Sequence, residues 1–361
     1  MRRRELITLL GGAAASSVSW PLAARAQQVK VWRIGMLETI PTGLNASNLV
    51  ALRQGLRELG YIEGQNYVLE YRSADGQAER FPSLAAELVR ARVDLIVMRG
   101  TPAARAAKEA TSTIPIVMAA VGEALGVVES LARPGGNVTG LSAFTTELAG
   151  KRMEFARELL PGTARVGFFH NMSNPVAPPQ WEQTQIAARQ LGIEAELLDV
   201  RNGGEVGRAI EAAVSKGIDA LLVGNDGVTQ ENRFLIVDLA ARKRLPTVYG
   251  SKEFVEAGGL ISYAVSYQQL YFRAARFVDK IFKGAKAGDL PVEQVPVSLR
   301  HVPRCGARTR NGKHCQSPAV KGKARCRMHG GAAGSGGPRG RATATTSTAA
   351  TPPRRSRLVS G

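Results

Sequence analysis

The side chains best placed to do chemistry in this sequence stand just after short apolar runs. Glu38 follows Val31 to Leu37, Gly100 and Thr101 follow Asp94 to Met98, and Gly122 and Glu123 follow Ile114 to Ala120. Further along, Asn171 and Asn174 follow Ala164 to His170, Asn225 and Asp226 follow Ile218 to Gly224, and Tyr249 and Glu253 lie at and after the run from Thr247. Short polar side chains and helix starts predominate among these positions. Thr101-Pro102 is the most readable pair. Threonine as a helix cap with proline at the first helical position fixes a helix start, whose free N–H groups and positive dipole end favour a carboxylate. Capping without any ligand is the competing reading. Asp226 or Glu38 could hold an amino group from the opposite side, or be solvated loop acids. Tyr249 could stack on a flat ligand, and Tyr263 or Tyr267 could line a hinge; packing is the alternative for each.

Catalytic constellations are weaker. Gly135 and Gly136 read as a turn, and neither G-x-G-x-x-G nor G-x-x-x-x-G-K-[ST] follows a strand in the body of the chain. His170, the only histidine before the tail, ends an apolar run without a metal-ligand partner at usable spacing and reads as structural. An enzyme is therefore not expected. All three cysteines lie late, and Cys305, Cys315, Cys326 and His329 together supply three thiolates and an imidazole, the donor set of a structural zinc site. Only Cys326 and His329 are tightly spaced. A free basic tail, or a disulfide with one thiol left over, are the alternatives.

Charge is segregated. The 361-residue chain carries a formal +18, but residues 301–361 hold thirteen lysines and arginines and no acid, and residues 1–26 hold four arginines and one glutamate. Residues 27–300 are left with 31 basic and 29 acidic side chains, nearly neutral. The basic end could bind nucleic acid weakly, but it has no Phe, Tyr or Trp to stack on bases, so no specific nucleic-acid partner is expected.

The elements that must position the candidate residues alternate. Residues 1–26 read as an export signal: Arg2, Arg3 and Arg4, an apolar run too short to span a bilayer, then Ala24-Arg25-Ala26 as a cleavage motif; the paired arginines suit a twin-arginine leader. From Val31 to Ala120, apolar runs of strand length alternate with helical periodicity at Ser47 to Gly60, Pro82 to Val93 and Pro102 to Ala110. The same alternation returns from Glu147 to Arg242. This order predicts an α/β fold of two doubly wound parallel-sheet lobes, with ligands beyond the carboxyl ends of the strands. Lobe 1 is expected over 27–145, with 264–294 returning to it, and lobe 2 over 146–263. An atypical basic Cys/His segment (295–329) and a tail (330–361) too poor in apolar residues to bury a core complete the chain.

Between the lobes, Leu245 to Gly284 reads as strand, glycine pair, strand (Leu260 to Tyr263) and a helix with Leu270, Ala274, Phe277, Val278 and Ile281 on one face. Its wording EFVEAGGLISY, the later KGAKAGDLPVEQ, and the blocks ARPGGNVTG (132–140) and HNMSNP (170–175) resemble the ABC transporter substrate-binding proteins of the TrpX type, over the chain up to about Gln294. The resemblance implies a type I periplasmic binding fold joined by a hinge. It also implies a small solute as ligand, such as an aromatic amino acid, a membrane permease as partner, a periplasmic location and a monomer. A ligand-sensing domain without transport, or a degenerate fusion product, are the alternatives. After Gln294 the chain departs from the family.

Overall fold

Residues 30–295 are described by a computed structural model. The expected leader, the residues expected as zinc ligands (Cys305, Cys315, Cys326 and His329) and the basic tail lie outside the described residues. The first half opens with β1 (Trp32–Glu38), α1 (Ala46–Glu58), β2 (Tyr67–Ser73), α2 (Phe81–Arg90), β3 (Leu95–Arg99), α3 (Thr101–Ala110), β4 (Ile116–Val121) and β5 (Val138–Ser142). The second contains α4 (Thr145–Leu159), β6 (Arg165–His170), α5 (Ala177–Leu191), β7 (Glu194–Asp199), α6 (Val206–Ser215), β8 (Ala220–Val223), α7 (Gly227–Glu231), α8 (Arg233–Arg242), β9 (Thr247–Tyr249), α9 (Lys252–Glu256) and β10 (Ile261–Ser262). Then α10 (Tyr267–Phe282) and β11 (Glu293–Gln294) return to the first sheet.

Every pairing between these strands is parallel. One sheet runs β11-β5-β4-β3-β1-β2 and the other β10-β9-β8-β6-β7. Strands β3, β4 and β5 are buried along their whole length, whereas the edge strands β2 and β7 are partly open, the burial expected of a parallel sheet covered by helices on both faces. Helices α2 and α3 cover one face of the first sheet through Leu84, Leu88, Ala103 and Ala107. On the other face α1 and α10 pack together, and Trp32 stacks on Phe282 with ring centroids 4.0 Å apart. The second lobe has a core on each face, one around Phe169, Leu221 and Ile236 and one around Phe168, Ala188 and Leu222.

Several local expectations need correction. Gly100, not Thr101, is the N-cap of α3; its φ of 91° is left-handed, a conformation glycine adopts without strain, and Thr101 becomes the first helical residue. The strand expected over Leu260 to Tyr263 shrinks to Ile261–Ser262, and a helical turn, α9, intervenes after β9. Strand β5 is additional: Val138–Ser142 looks polar and turn-like, yet it is wholly buried beside β4.

Candidate functional site

The carboxyl ends of both sheets face one cleft with about 650 Å³ of free space counted out to its open mouth. The first lobe contributes Thr39, Phe81, Arg99 and Thr101, the second Thr145, Asn171, Asn174, Asn225 and Asp226, and Tyr267 closes the cleft from the start of α10. Three expected residues thus meet here: Thr101, Asn171 and Asp226. The other four do not line the cleft. Glu38 is fully buried behind Arg99. Glu123 turns back on its own loop, where its Oε1 accepts from the Leu125 N–H at 3.4 Å. Tyr249 is buried in the second lobe, stacked on Phe254 at 4.9 Å. Glu253 sits at the seam between the lobes, accepting from Asn48 Nδ2 at 3.3 Å.

Local structure decides which polar atoms are left for a ligand. The Thr101 hydroxyl is buried without a hydrogen-bond partner, at the first residue of α3, where the N–H groups are free by geometry. Across the cleft the Asn171 Oδ1 accepts from the Ser173 N–H at 2.9 Å, Asn174 Oδ1 from Val176 N–H at 3.2 Å, and Asn225 Oδ1 from Gln230 Nε2 at 2.6 Å. Asn171 and Asn174 therefore spend their carbonyls on their own loops and keep their NH₂ groups, whereas Asn225 is held by Gln230 on α7 and by a side-chain hydrogen bond to Tyr267. Asp226 caps α7, its Oδ1 accepting from the Thr229 N–H at 2.8 Å, which uses one carboxylate oxygen.

Arg99 was missed in the sequence, although it is the one charged residue in an apolar strand and ends that strand. It is 3% exposed, and its guanidinium lies 4.6 Å from the centroid of the Tyr267 ring. Behind it, the Tyr271 hydroxyl donates to Glu38, 2.8 and 2.9 Å from the two carboxylate oxygens. Burial pushes the Glu38 carboxyl up to about 7, against the attraction of Arg99 and the Tyr271 hydrogen bond. His170 is buried beneath Gly224, and burial lowers its pKa.

The lobes touch across the cleft. Besides Asn48 and Glu253, Arg233 Nη2 donates to the Leu44 carbonyl at 3.3 Å, and Gly227 comes so close to Gly76 that a Cβ on it would lie 3.3 Å from the Gly76 Cα. The arrangement can enclose a small polar molecule between a first-lobe wall with Arg99 and Thr101 and a second-lobe wall with asparagine amides and one carboxylate, Asp226. Among the described residues no helix is long and apolar enough to cross a membrane.

The family model described as ABC transporter substrate binding protein matches residues 45–299. A tyrosine-binding protein of Clostridioides difficile is 29% identical over 241 residues, 66% of this chain and 69% of the relative. Among solved structures, the ABC domain from Streptococcus pneumonia in complex with L-Trp is 26% identical with a TM-score of 0.68, covering 74% of this chain and 90% of that one. The ligand-free, open structure of a substrate binding protein with adhesive properties from Clostridium difficile is 25% identical and gives a TM-score of 0.53, covering 73% and 89%.

Proposed function

The chain belongs to the ABC transporter substrate-binding protein family, and from that premise we propose that it captures an aromatic amino acid in the interlobe cleft and presents it to a membrane permease. The observation that carries this reading is the opposition of charge across the cleft. Arg99, the Thr101 hydroxyl and the start of α3 face Asp226 on the other lobe, an arrangement suited to the carboxylate and ammonium of one zwitterion. Phe81, Ala74 and Ala78 give the first lobe an apolar end for a side chain. The relatives named for tyrosine and complexed with L-Trp support an aromatic one.

No bond is made or broken in this activity. The family is one of solute-binding proteins, which act outside the cytoplasm; the terminal arginines and the A-x-A motif favour the periplasm and a twin-arginine route. The protein works as a monomer in this reading, because one chain supplies both walls of the cleft.

Isothermal calorimetry and thermal melts of the exported protein against the twenty amino acids test the proposal. L-tyrosine or L-tryptophan is expected to bind and to raise the melting temperature, since a ligand at 100 times its Kd stabilises the native state by about 2.7 kcal/mol. Binding of an aliphatic amino acid or a sugar in preference to every aromatic amino acid overturns it.

A further inference from the structure

The polar lining of the cleft is unbalanced. Its side chains offer donors from Arg99, the Thr101 hydroxyl and the amides of Asn171 and Asn174, against one carboxylate, Asp226. Arg99 is the extreme case. Among the described residues its guanidinium makes one hydrogen bond, a long one of 3.4 Å to Asn45 Oδ1, and no ion pair. An arginine has five N–H donors, and a buried one that lacks a partner is costly. Glu38 and Glu253 attract Arg99 electrostatically, but neither carboxylate makes an ion pair or hydrogen bond with it among the described residues. Glu38 is engaged by the Tyr271 hydroxyl, and Glu253 accepts from Asn48.

The second lobe has a similar group. Arg152 on α4 is 2% exposed and reaches only neutral oxygens, the Gln180 Oε1 at 3.3 Å and the carbonyls of Thr145 and Tyr263 at 3.5 Å. Both arginines interact electrostatically with Tyr267, but only Arg99 lines the cleft.

We infer that Arg99 is the specificity-determining residue of the cleft: its free N–H donors take an anionic oxygen of the ligand, with the Thr101 hydroxyl as second donor, so that the cleft admits carboxylates and rejects their amides and amines. This rests on the proposed function for the amino-acid nature of the ligand. It goes beyond it in assigning selection to one full charge. A helix end and asparagine amides alone would serve neutral acceptors such as sugar hydroxyls equally well, because they carry only partial charges. An amide or amine would instead leave the arginine buried and unpaired, the penalty that makes discrimination steep.

The test is a calorimetric panel of L-tyrosine, L-tryptophan, L-tyrosinamide, tyramine and L-arabinose against the wild type, Arg99→Met, Arg99→Lys and the double variant Arg99→Met/Glu38→Gln. The wild type is expected to bind the better amino acid about 100-fold or more tighter than tyrosinamide, about the 2–3 kcal/mol of a hydrogen bond to a charged group. Arg99→Met should lose at least that factor on the amino acid and bring the acid-to-amide ratio near unity, and Arg99→Lys should recover part of both. The double variant removes the guanidinium and fixes position 38 in a neutral form, so that no carboxylate is left there to ionise beside a missing arginine. It should keep a cooperative melt near the wild-type temperature and still not bind, which separates lost recognition from lost folding. Amino-acid binding that persists unchanged in Arg99→Met overturns this inference and leaves the proposed function standing. Capture of arabinose with no amino acid bound overturns both.

Discussion

At Glu38, burial outweighs the attraction of the neighbouring guanidinium, and the carboxyl is pushed up to about 7 from the ordinary range near 4.5. The unfolded chain would hold this proton only below the ordinary value. The native state therefore binds more protons between the two, and its stability is greatest below about 4.5 and is lost as pH rises through about 7. The full effect is roughly 3 kcal/mol, since each tenfold change in proton affinity is worth about 1.4 kcal/mol. Urea unfolding of the wild type and Glu38→Gln at pH 5 and pH 8 should show the wild type losing more stability between the two pH values than the variant, by about 2–3 kcal/mol. Equal losses would mean that Glu38 titrates normally. Thr101, Asn171 and Asp226 were legible because residues just past the strands of a doubly wound sheet must reach its ligand edge. Tyr249 was misplaced for a related reason. It is the last residue inside its strand, where alternation turns the side chain into the core against Phe254, and one residue of position decides between core and cleft.

Among the elements, α10 carries the chain back from the second lobe to the first and is held there by α1. The two helices approach closely at Gly55, where a Cβ would lie 2.5 Å from the Phe272 carbonyl oxygen and 2.9 Å from the Ala275 Cβ. Neither neighbour is the end of a flexible side chain, so the helices would have to separate. Gly55→Ala gains up to about 1 kcal/mol of helix propensity but overpacks the contact by about 1–3 kcal/mol. A net loss of about 1–2 kcal/mol in urea unfolding is expected, and a more stable variant would show that the two helices slide freely. The helix itself was readable from its three-and-four spacing, because one long amphipathic face is enough to define it. Strand β5 was not readable. Only Val138 and Leu141 are apolar in it and Gly140 interrupts the run, and what makes it a strand is tertiary: it is enclosed by β4 and β11, with Gly140 letting its backbone lie against Met118 where any Cβ would collide with the Met118 carbonyl.

For the whole molecule, the property that matters is how firmly one lobe closes on the other. Outside the cleft the seam is crossed by hydrogen bonds from Asn48 to Glu253 and from Arg233 to the Leu44 carbonyl, each 3.3 Å long. Both are long, and the seam leaves Asn48 Oδ1 and Glu253 Oε2 buried without partners, so closure by itself gains little. A ligand bridging Arg99 and Asp226 adds the attraction that the seam lacks. Its apparent affinity is the intrinsic affinity scaled by the fraction of molecules that can close. Asn48 and Arg233 do not line the cleft, and Asn48→Ala/Arg233→Met would remove both of these bonds without touching the ligand. At about 0.5–1.5 kcal/mol for each bond, the apparent Kd should rise by about 5- to 150-fold. Small-angle scattering should find the ligand-free variant more extended than the wild type, with both contracting to the same dimensions at saturating ligand. Unchanged affinity together with unchanged ligand-free dimensions would mean that the seam bonds carry no closure energy, and that the ligand alone holds the lobes together.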